Sequence, residues 1–344
     1  MRELTLLQGN EAIAQAAIRA GLNFYGGYPI TPSSEIMHFL AQESSKMKDL
    51  HFIQFEDELA SINGIIGAAL GGAKVMTATS GPGFSLMQEG LGLAHMANIP
   101  LVVVDVQRVG PSTGMPTMPA QGDIFQAYHG SHGDYVSLSL APSSVEECYF
   151  YTLQAFNLSQ EVQLPVILLA DAYLAHLYET VDLQKFRNTK IIPSRFKPFG
   201  KDKRHLTGLL NDRGVPKTRD SKFYQQWLRK RKKEIKKIIK NYQFFEYLPN
   251  KKTKTLVISY GIVGRFLYPY RKHFAFFRPI RLFPVLEKKL KEVTQDYEEI
   301  VVIEMNDGQY AQIIECVLKR KVKKICLFGG EINPKVLTKQ LIND

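Results

Sequence analysis

Between residue 9 and about residue 180 the chain alternates short apolar runs with helical stretches rich in small residues. The runs predict strands at 23–26, 51–54, 74–79, 100–107, 135–140 and 165–170. Residues 11–20 predict a helix closed by Gly21, and Ser143–Ser144–Val145–Glu146 opens another with a capping-type pattern. Strands alternating with helices give an α/β fold, a mostly parallel sheet covered on both faces. Ligands in such sheets bind at the carboxyl ends of the strands, where loops lead into helices.

The pattern changes after this. From 185 to 253 the apolar periodicity thins, and residues 229–240, RKRKKEIKKIIK, are dense in charge. A second, shorter α/β pattern starts at Lys254, with strands expected at 255–260, 300–304 and 323–328 and helices at 285–293 and 309–319. The chain therefore divides into a parallel-sheet domain over 1–184, a basic linker or insert over 185–253, and a smaller α/β domain over 254–344. No internal repeat is visible.

Charge sharpens this division. The net charge of +11 over 344 residues hides an acidic first part, where residues 1–180 carry six Lys/Arg against seventeen Asp/Glu. The remainder holds 38 basic and 16 acidic residues. A nucleic-acid-binding protein is the reading this basicity invites, but the basic run lacks interleaved exposed aromatics and the first domain is acidic. As an amphipathic helix, with Trp227, Leu228, Ile235, Ile238 and Ile239 on one side, the run is either a solvated face or a docking site for an acidic partner or a neighbouring subunit. Apolar runs such as IPLVVVDV at 99–106 are strand-length, too short to span a membrane, and MRELTLLQGNEAIAQ lacks a signal-peptide core. A cytoplasmic protein is expected. The three cysteines, Cys148, Cys316 and Cys326, have no metal-knuckle spacing; Cys148 and Cys316 fall in helical stretches where buried thiols are common. No metal site is expected on this chain.

Four loops of the first domain each follow an expected strand, so they can meet at one rim. In YPITPSSE at 28–35, Thr31 suits an N-cap and Pro32 the first helical position; the alternative is an anion site at a helix N-terminus. In FEDELASINGIIGAALGGA at 55–73 three acids stand at a helix start, where they oppose the macrodipole, although Glu58 is expected inside the helix. TATSGPGFSLMQEGLG at 77–92 reads strand, tight turn, helix, a shape that cradles a ring or phosphate or is simply a turn; no GK[ST] follows, so it is no Walker loop. In QRVGPSTGMPTMPAQGD at 107–123, Arg108 is the only arginine between residues 20 and 180. Its fork suits a carboxylate ligand or a salt bridge to a local acid. The Gly/Pro/Thr loop behind it resembles a functional lid.

Together these four motifs, with QGDIFQAYHGSHGD nearby, resemble the α subunits of 2-oxoacid:ferredoxin oxidoreductases. The similarity is dense over about residues 8–180 and thinner through HLTGLLNDRG at 205–214 and VVIEMNDGQYAQ at 301–312. It implies a pyrimidine-type thiamine-diphosphate-binding domain followed by a transketolase C-terminal-like domain. The implied activity is thiamine-dependent oxidative decarboxylation of a 2-oxoacid, 2-oxoglutarate first, to its acyl-CoA, with electrons passed to ferredoxin and the reverse direction open. Branched-chain 2-oxoacids and pyruvate are the alternative substrates; an assembly subunit whose catalysis has lapsed is the alternative of another class.

By the resemblance, Glu58, Thr31 and Arg108 are catalytic. Glu58 maps onto the glutamate that bonds the pyrimidine N1′, favouring the imino tautomer whose 4′ nitrogen takes the thiazolium C2 proton. Thr31 and Arg108 map onto substrate-contacting residues, Arg108 facing the carboxylate or carbonyl. Tyr28, Pro29, Ile30, Ser80, Gly81 and Pro82 join Glu58 in holding the cofactor, and Gly110, Pro111, Ser112, Thr113 and Gly114 form the substrate loop. The GDG motif of diphosphate binding is missing: GDI at 122–124 and GDY at 133–135 lack the second glycine. The resemblance therefore implies thiamine diphosphate shared with a β subunit that carries Mg²⁺ and a [4Fe-4S] cluster, coenzyme A as co-substrate, γ and δ subunits in some assemblies, and ferredoxin as acceptor. One departure stands out. LADAYLAH at 169–176 has Ala172 where many relatives carry an acid, while His176 is kept.

Overall fold

In the computed structural model, which describes residues 4–201 and 207–333, the first domain is built on one mostly parallel sheet. Its strands run Arg281–Phe283, Ser139–Leu140, Pro165–Asp171, Leu101–Val109, Val75–Thr79, Phe24–Gly27 and His51–Gln54 from edge to edge. All neighbours are parallel except Arg281–Phe283, which arrives from the second domain and pairs antiparallel with Ser139–Leu140. Met115–Pro119 folds back on the end of Leu101–Val109.

Side-chain alternation along the central strand sorts the two faces. Val102, Val104 and Val106 pack with Ile13, Ile36, Leu40, Leu153 and Phe156, from the helices Gly9–Arg19, Ser34–Ser44 and Val145–Val162. Leu101 and Val103 pack with Ile62, Ile65 and Leu91, from Glu58–Leu70 and Gln88–Ala97, and with Ile258 and Phe277 of the second domain. By the same alternation Asp105 falls on the second face.

The second sheet has the order Phe245–Leu248, Ala275–Pro279, Thr255–Ile258, Glu299–Glu304, Lys323–Cys326, antiparallel only at its first pair. Phe245–Leu248 lies within the stretch read above as linker, so the second sheet begins before residue 254. The linker also contains the helix Ser221–Ile238, N-capped by Asp220. Ile235, Ile238 and Ile239 pack on the first domain's core while Lys230, Lys232, Lys233, Lys236 and Lys237 face outward. Arg231 donates to Val162 O at 2.7 Å and Gln163 O at 3.1 Å, satisfying carbonyls at the end of the helix Val145–Val162.

Other expectations need adjustment. The strand expected over 135–140 shortens to Ser139–Leu140. Cys148 is buried, but Cys316 is exposed, on the outer face of the helix Gln309–Leu318. The 205–214 stretch begins outside the described residues; its later part is a small ribbon, Asn211–Asp212 with Val215–Pro216. No helix among the described residues is long and apolar enough to cross a membrane.

Candidate active site

The parallel strands ending at Gly27, Gln54, Thr79 and Val109 deliver the four motif loops to one rim of the sheet, as the strand–helix alternation requires. The loop after Gly27 does not begin its helix where the sequence suggested. Ser34–Ser44 follows Ser33, so Thr31 is not the N-cap and Pro32 is not the first helical residue. Asn10, fully buried, ties the loop down by donating to Pro32 O at 2.8 Å and Glu35 Oε2 at 2.9 Å. The Thr31 side chain is exposed and its carbonyl accepts from Arg108 Nη1 at 2.6 Å.

Asp57 caps the next helix by accepting from Ala60 N at 2.6 Å, which makes Glu58 its first residue and not an interior one. Glu58 is nevertheless 6% exposed. Its carboxylate lies against Gly83 of the SGPG turn, where a Cβ would stand 2.4 Å from Glu58 Oε1 and 2.2 Å from Thr79 Oγ1. Burial raises its pKa; its own backbone N–H opposes this, Asp57 adds to it, and Arg108 opposes it. A dipole-opposing surface glutamate would show none of this burial. Among the described residues the carboxylate has no side-chain partner, the arrangement of a group that meets a ligand.

Arg108 ends the central strand, 8% exposed. It makes no ion pair with any described acid, so the salt-bridge alternative does not hold. One arm is fixed on Thr31, its Nε is without a partner, and it lines a cavity of about 620 Å³. Gly81, Pro82, Gly110, Pro111 and Ser112 line the same cavity, as do Asn306, Gln309 and Phe328–Gly330 of the second domain. Thr113 and Gly114 belong to the same exposed loop but do not line it, and neither do Tyr28, Pro29, Ile30, Thr31, Glu58 or Ser80.

Sequence reasoning missed three features. The first is Gly83, whose missing side chain makes room for Glu58. The second is a buried network that joins the domains behind the cavity. Gln121 N donates to Met305 O and Gln121 Nε2 to Tyr260 O; Asn306 Nδ2 donates to Gln121 O at 2.6 Å and Glu304 Oε2 at 2.7 Å. Gln309 Nε2 donates to Gly122 O at 2.7 Å, so the 301–312 motif clamps the segment carrying Asp123. The third is the pair Asp105 and Asp123, each of which perturbs the other's ionisation, while both oxygens of Asp105 and Oδ2 of Asp123 lack a hydrogen-bond partner among the described residues. Asp105 was visible as a lone acid inside the apolar run at 99–106. Ala172 is 2% exposed, so an acid there would be buried; its neighbour Asp171 caps the helix Ala172–His176, and exposed His176 stands 3.5 Å from Glu35.

Residues 15–243 match the family described as pyruvate flavodoxin/ferredoxin oxidoreductase, thiamine-diphosphate-binding. The 2-oxoglutarate synthase subunit KorA of Archaeoglobus fulgidus is 40% identical, the match covering 97% of each chain. The ketoisovalerate oxidoreductase subunit VorB of Methanothermobacter thermautotrophicus is 33% identical over 95% of this chain and 94% of that one. Among solved structures, the 2-oxoglutarate:ferredoxin oxidoreductase of Magnetococcus marinus, with 2-oxoglutarate, coenzyme A and succinyl-CoA bound, superposes with a TM-score of 0.89 at 30% identity. That match covers 99% of this chain and 65% of the other. An inactive split-gene transketolase, 11% identical with a TM-score of 0.55, shares the fold. The chain belongs to the thiamine-diphosphate-binding pyruvate flavodoxin/ferredoxin oxidoreductase family.

Proposed function

We propose that this chain is the α subunit of a 2-oxoglutarate:ferredoxin oxidoreductase, which converts 2-oxoglutarate and coenzyme A to succinyl-CoA and CO₂ while passing electrons to ferredoxin. The observation that carries the reading is the pairing of two buried side chains at one rim. Glu58 offers a carboxylate with no side-chain partner, and Arg108 offers unpaired N–H groups to a cavity.

The residues fit the aminopyrimidine of thiamine diphosphate, because the space opposite Glu58 is kept free by Gly83 and a buried carboxylate of raised pKa suits a proton shared with a ring nitrogen. When bound, this cofactor supplies the carbon nucleophile and electron sink for decarboxylation. Glu58 holds the proton at the ring nitrogen. Arg108 binds the substrate carboxylate through the N–H groups not engaged by Thr31, and Thr31 thereby positions Arg108 through its carbonyl. Ser80, Gly81 and Pro82 approach the cofactor, Tyr28, Pro29 and Ile30 flank it, and Gly110–Gly114 border the substrate.

Tyr28, Ile53, Leu59 and Leu86 are exposed around the Glu58 rim, a surface suited to burial by a β subunit. In the proposal that subunit carries the diphosphate and Mg²⁺ site and the iron–sulfur cluster, and the assembly is cytoplasmic. The division into a cofactor domain, a basic insert and a C-terminal domain is part of the same reading, with the C-terminal domain closing the cavity. The branched-chain alternative has the VorB similarity in its favour. The purified native complex, assayed with 2-oxoglutarate, 2-oxoisovalerate and pyruvate and a viologen acceptor, separates them: the highest kcat/KM falls on 2-oxoglutarate. A preference for 2-oxoisovalerate or pyruvate overturns the substrate, and no coenzyme-A-dependent reduction with any of them overturns the activity.

A further inference from the structure

Asp105 and Asp123 have no place in the roles assigned above, yet Asp123 lines the same cavity as Arg108 and the two act on each other's charge. Asp105 projects from mid-strand, fully buried, with no hydrogen-bond partner for either oxygen among the described residues, and Asp123 adds to the upward shift that burial gives it. Asp123 lines the cavity, its carboxylate beside the α-carbon of Gly81, where a Cβ would come within 3.2 Å of Oδ1. A fully buried carboxyl with no donor to either oxygen, raised further by a second carboxyl, does not ionise along with it, so the pair holds one proton and one negative charge.

Among the described residues Arg108 is the cation that acts on that charge. Each perturbs the other, but they form no ion pair, so the guanidinium remains available to a ligand. Among the described residues no other charged group faces Asp123. The strand Leu101–Val109 supplies only Asp105 and Arg108, the Ser80–Pro82 turn and the Gly110–Ser112 loop supply none, and the second domain presents Asn306, Gln309 and Phe328, with Asp307 turned to solvent. Glu58 acts on Arg108 from the other side.

We propose that Asp123, holding a proton jointly with Asp105, is the positioning counter-charge of Arg108, and that binding of an anionic 2-oxoacid to Arg108 is coupled to uptake of a proton by this pair. The inference rests on the substrate role of Arg108 given above. While Asp123 is an anion it partly cancels the attraction of Arg108 for a carboxylate. When the substrate carboxylate arrives, Asp123 loses that compensation and gains a like charge nearby, and both effects favour its protonated form. Burial, the largest cause, already lifts Asp123 to about 6, and burial and Asp123 lift Asp105 well above the usual range, so uptake falls within reach of neutral pH.

The test uses the purified complex without thiamine diphosphate, so that binding is read apart from turnover. Calorimetric titration with 2-oxoglutarate in two buffers of different ionisation enthalpy, from pH 6 to 8, counts the protons taken up. The parent complex takes up a fraction of a proton per site. Asp123→Asn, nearly isosteric, abolishes uptake, lowers Kd severalfold at pH 8 and flattens the dependence of KM on pH in the reconstituted enzyme. Asp105→Asn places a permanent amide donor against Asp123, favours its anion, and moves uptake to lower pH. Parental proton uptake in Asp123→Asn, or parental pH profiles in both variants, overturns the proposal. Arg108→Ala separates the two readings. If it binds 2-oxoglutarate as the parent does, the substrate role of Arg108 has failed; if binding is lost while Asp123→Asn keeps its proton linkage, only the coupling has failed.

Discussion

The carboxylate of Glu58 and the α-carbon of Gly83 are in contact, so close that a methyl group on Gly83 would stand 2.4 Å from Glu58 Oε1 and 2.6 Å from Glu58 Cγ. The two come from separate elements: Glu58 opens one helix, and Gly83 lies in the short helix Gly81–Leu86 that follows the strand Val75–Thr79. Glycine is required here for space, since the helix Gly81–Leu86 needs no unusual φ at this position.

Gly83→Ala is therefore expected to displace Glu58 without unfolding the domain, because the atoms it strikes are side-chain atoms of Glu58 and Thr79 that can swing away. The loss of one hydrogen bond to a charged group, about 1.5–3 kcal/mol, is the expected fall in thiamine diphosphate affinity of the assembled complex. Fluorescence titration measures the affinity, and thermal melting of the same sample shows whether the fold is kept. Parental affinity with Glu58 still in place would show that the turn yields elsewhere.

Glu58→Gln keeps the shape and removes the proton-accepting carboxylate. The complex is expected to assemble, while exchange of the cofactor's thiazolium C2 proton, followed by proton NMR, slows by about 10²–10⁴-fold, the usual contribution of a positioned acid–base group. Exchange at the parental rate would reduce Glu58 to a helix-terminal charge.

Much of this site was legible because its residues lie in short loops between strongly patterned strands. The apolar runs place the strand ends at one rim, and Glu58 and Arg108 are anomalies against that background, a carboxylate among small residues and an arginine in an acidic domain. What stayed hidden depends on contacts distant in sequence. Gln121 and Asn306 are 185 positions apart, and nothing local marks them as partners. Phe245–Leu248 was masked by the charge density before it, and it forms only because Ala275–Pro279 offers an edge. Arg281–Phe283 follows the second domain's sequence pattern yet completes the first domain's sheet. The cap was misplaced because Thr31 and Ser33 both have capping chemistry, and the chain starts its helix only after Ser33.

The two domains are also joined by charge. Arg278, 4% exposed on the second sheet, donates to Glu147 Oε1 at 2.6 Å and Oε2 at 2.8 Å and to Glu246 Oε2 at 3.1 Å. Burial alone would raise Glu147, but Arg278 and Ser143 outweigh it and hold the carboxyl below its ordinary value. A depressed native pKa means that the contribution is complete above the unfolded value, about 4.3, and is lost as pH falls through the native value. Glu147→Gln is expected to lower stability by about 3–5 kcal/mol at pH 7, the scale of breaking a buried pair. The gap from the parent, measured by denaturant unfolding, should narrow below about pH 4.3. A gap independent of pH would assign the loss to packing and not to charge.

Arg108→Lys tests substrate recognition apart from cofactor activation. In the structure one guanidinium arm is spent on Thr31 O, and the rest of the fork faces the cavity. Lysine keeps the charge but cannot hold the carbonyl and present a planar pair of donors at once. Losing a charge-assisted contact costs about 1.5–3 kcal/mol, or roughly one to two decades in kcat/KM if the contact persists in the transition state. Thiamine diphosphate content and C2-proton exchange should remain near parental, because the proposed roles give Arg108 to the substrate and Glu58 to the pyrimidine. A structural arginine would give the opposite pattern, a lower melting temperature with parental kinetics in the surviving enzyme. Steady-state kinetics on Arg108→Lys and Arg108→Ala, with melting curves of the same preparations, decide between them: if both variants keep the parental kcat/KM for 2-oxoglutarate, Arg108 does not bind the substrate, and its contact with Thr31 serves only to fasten the loop.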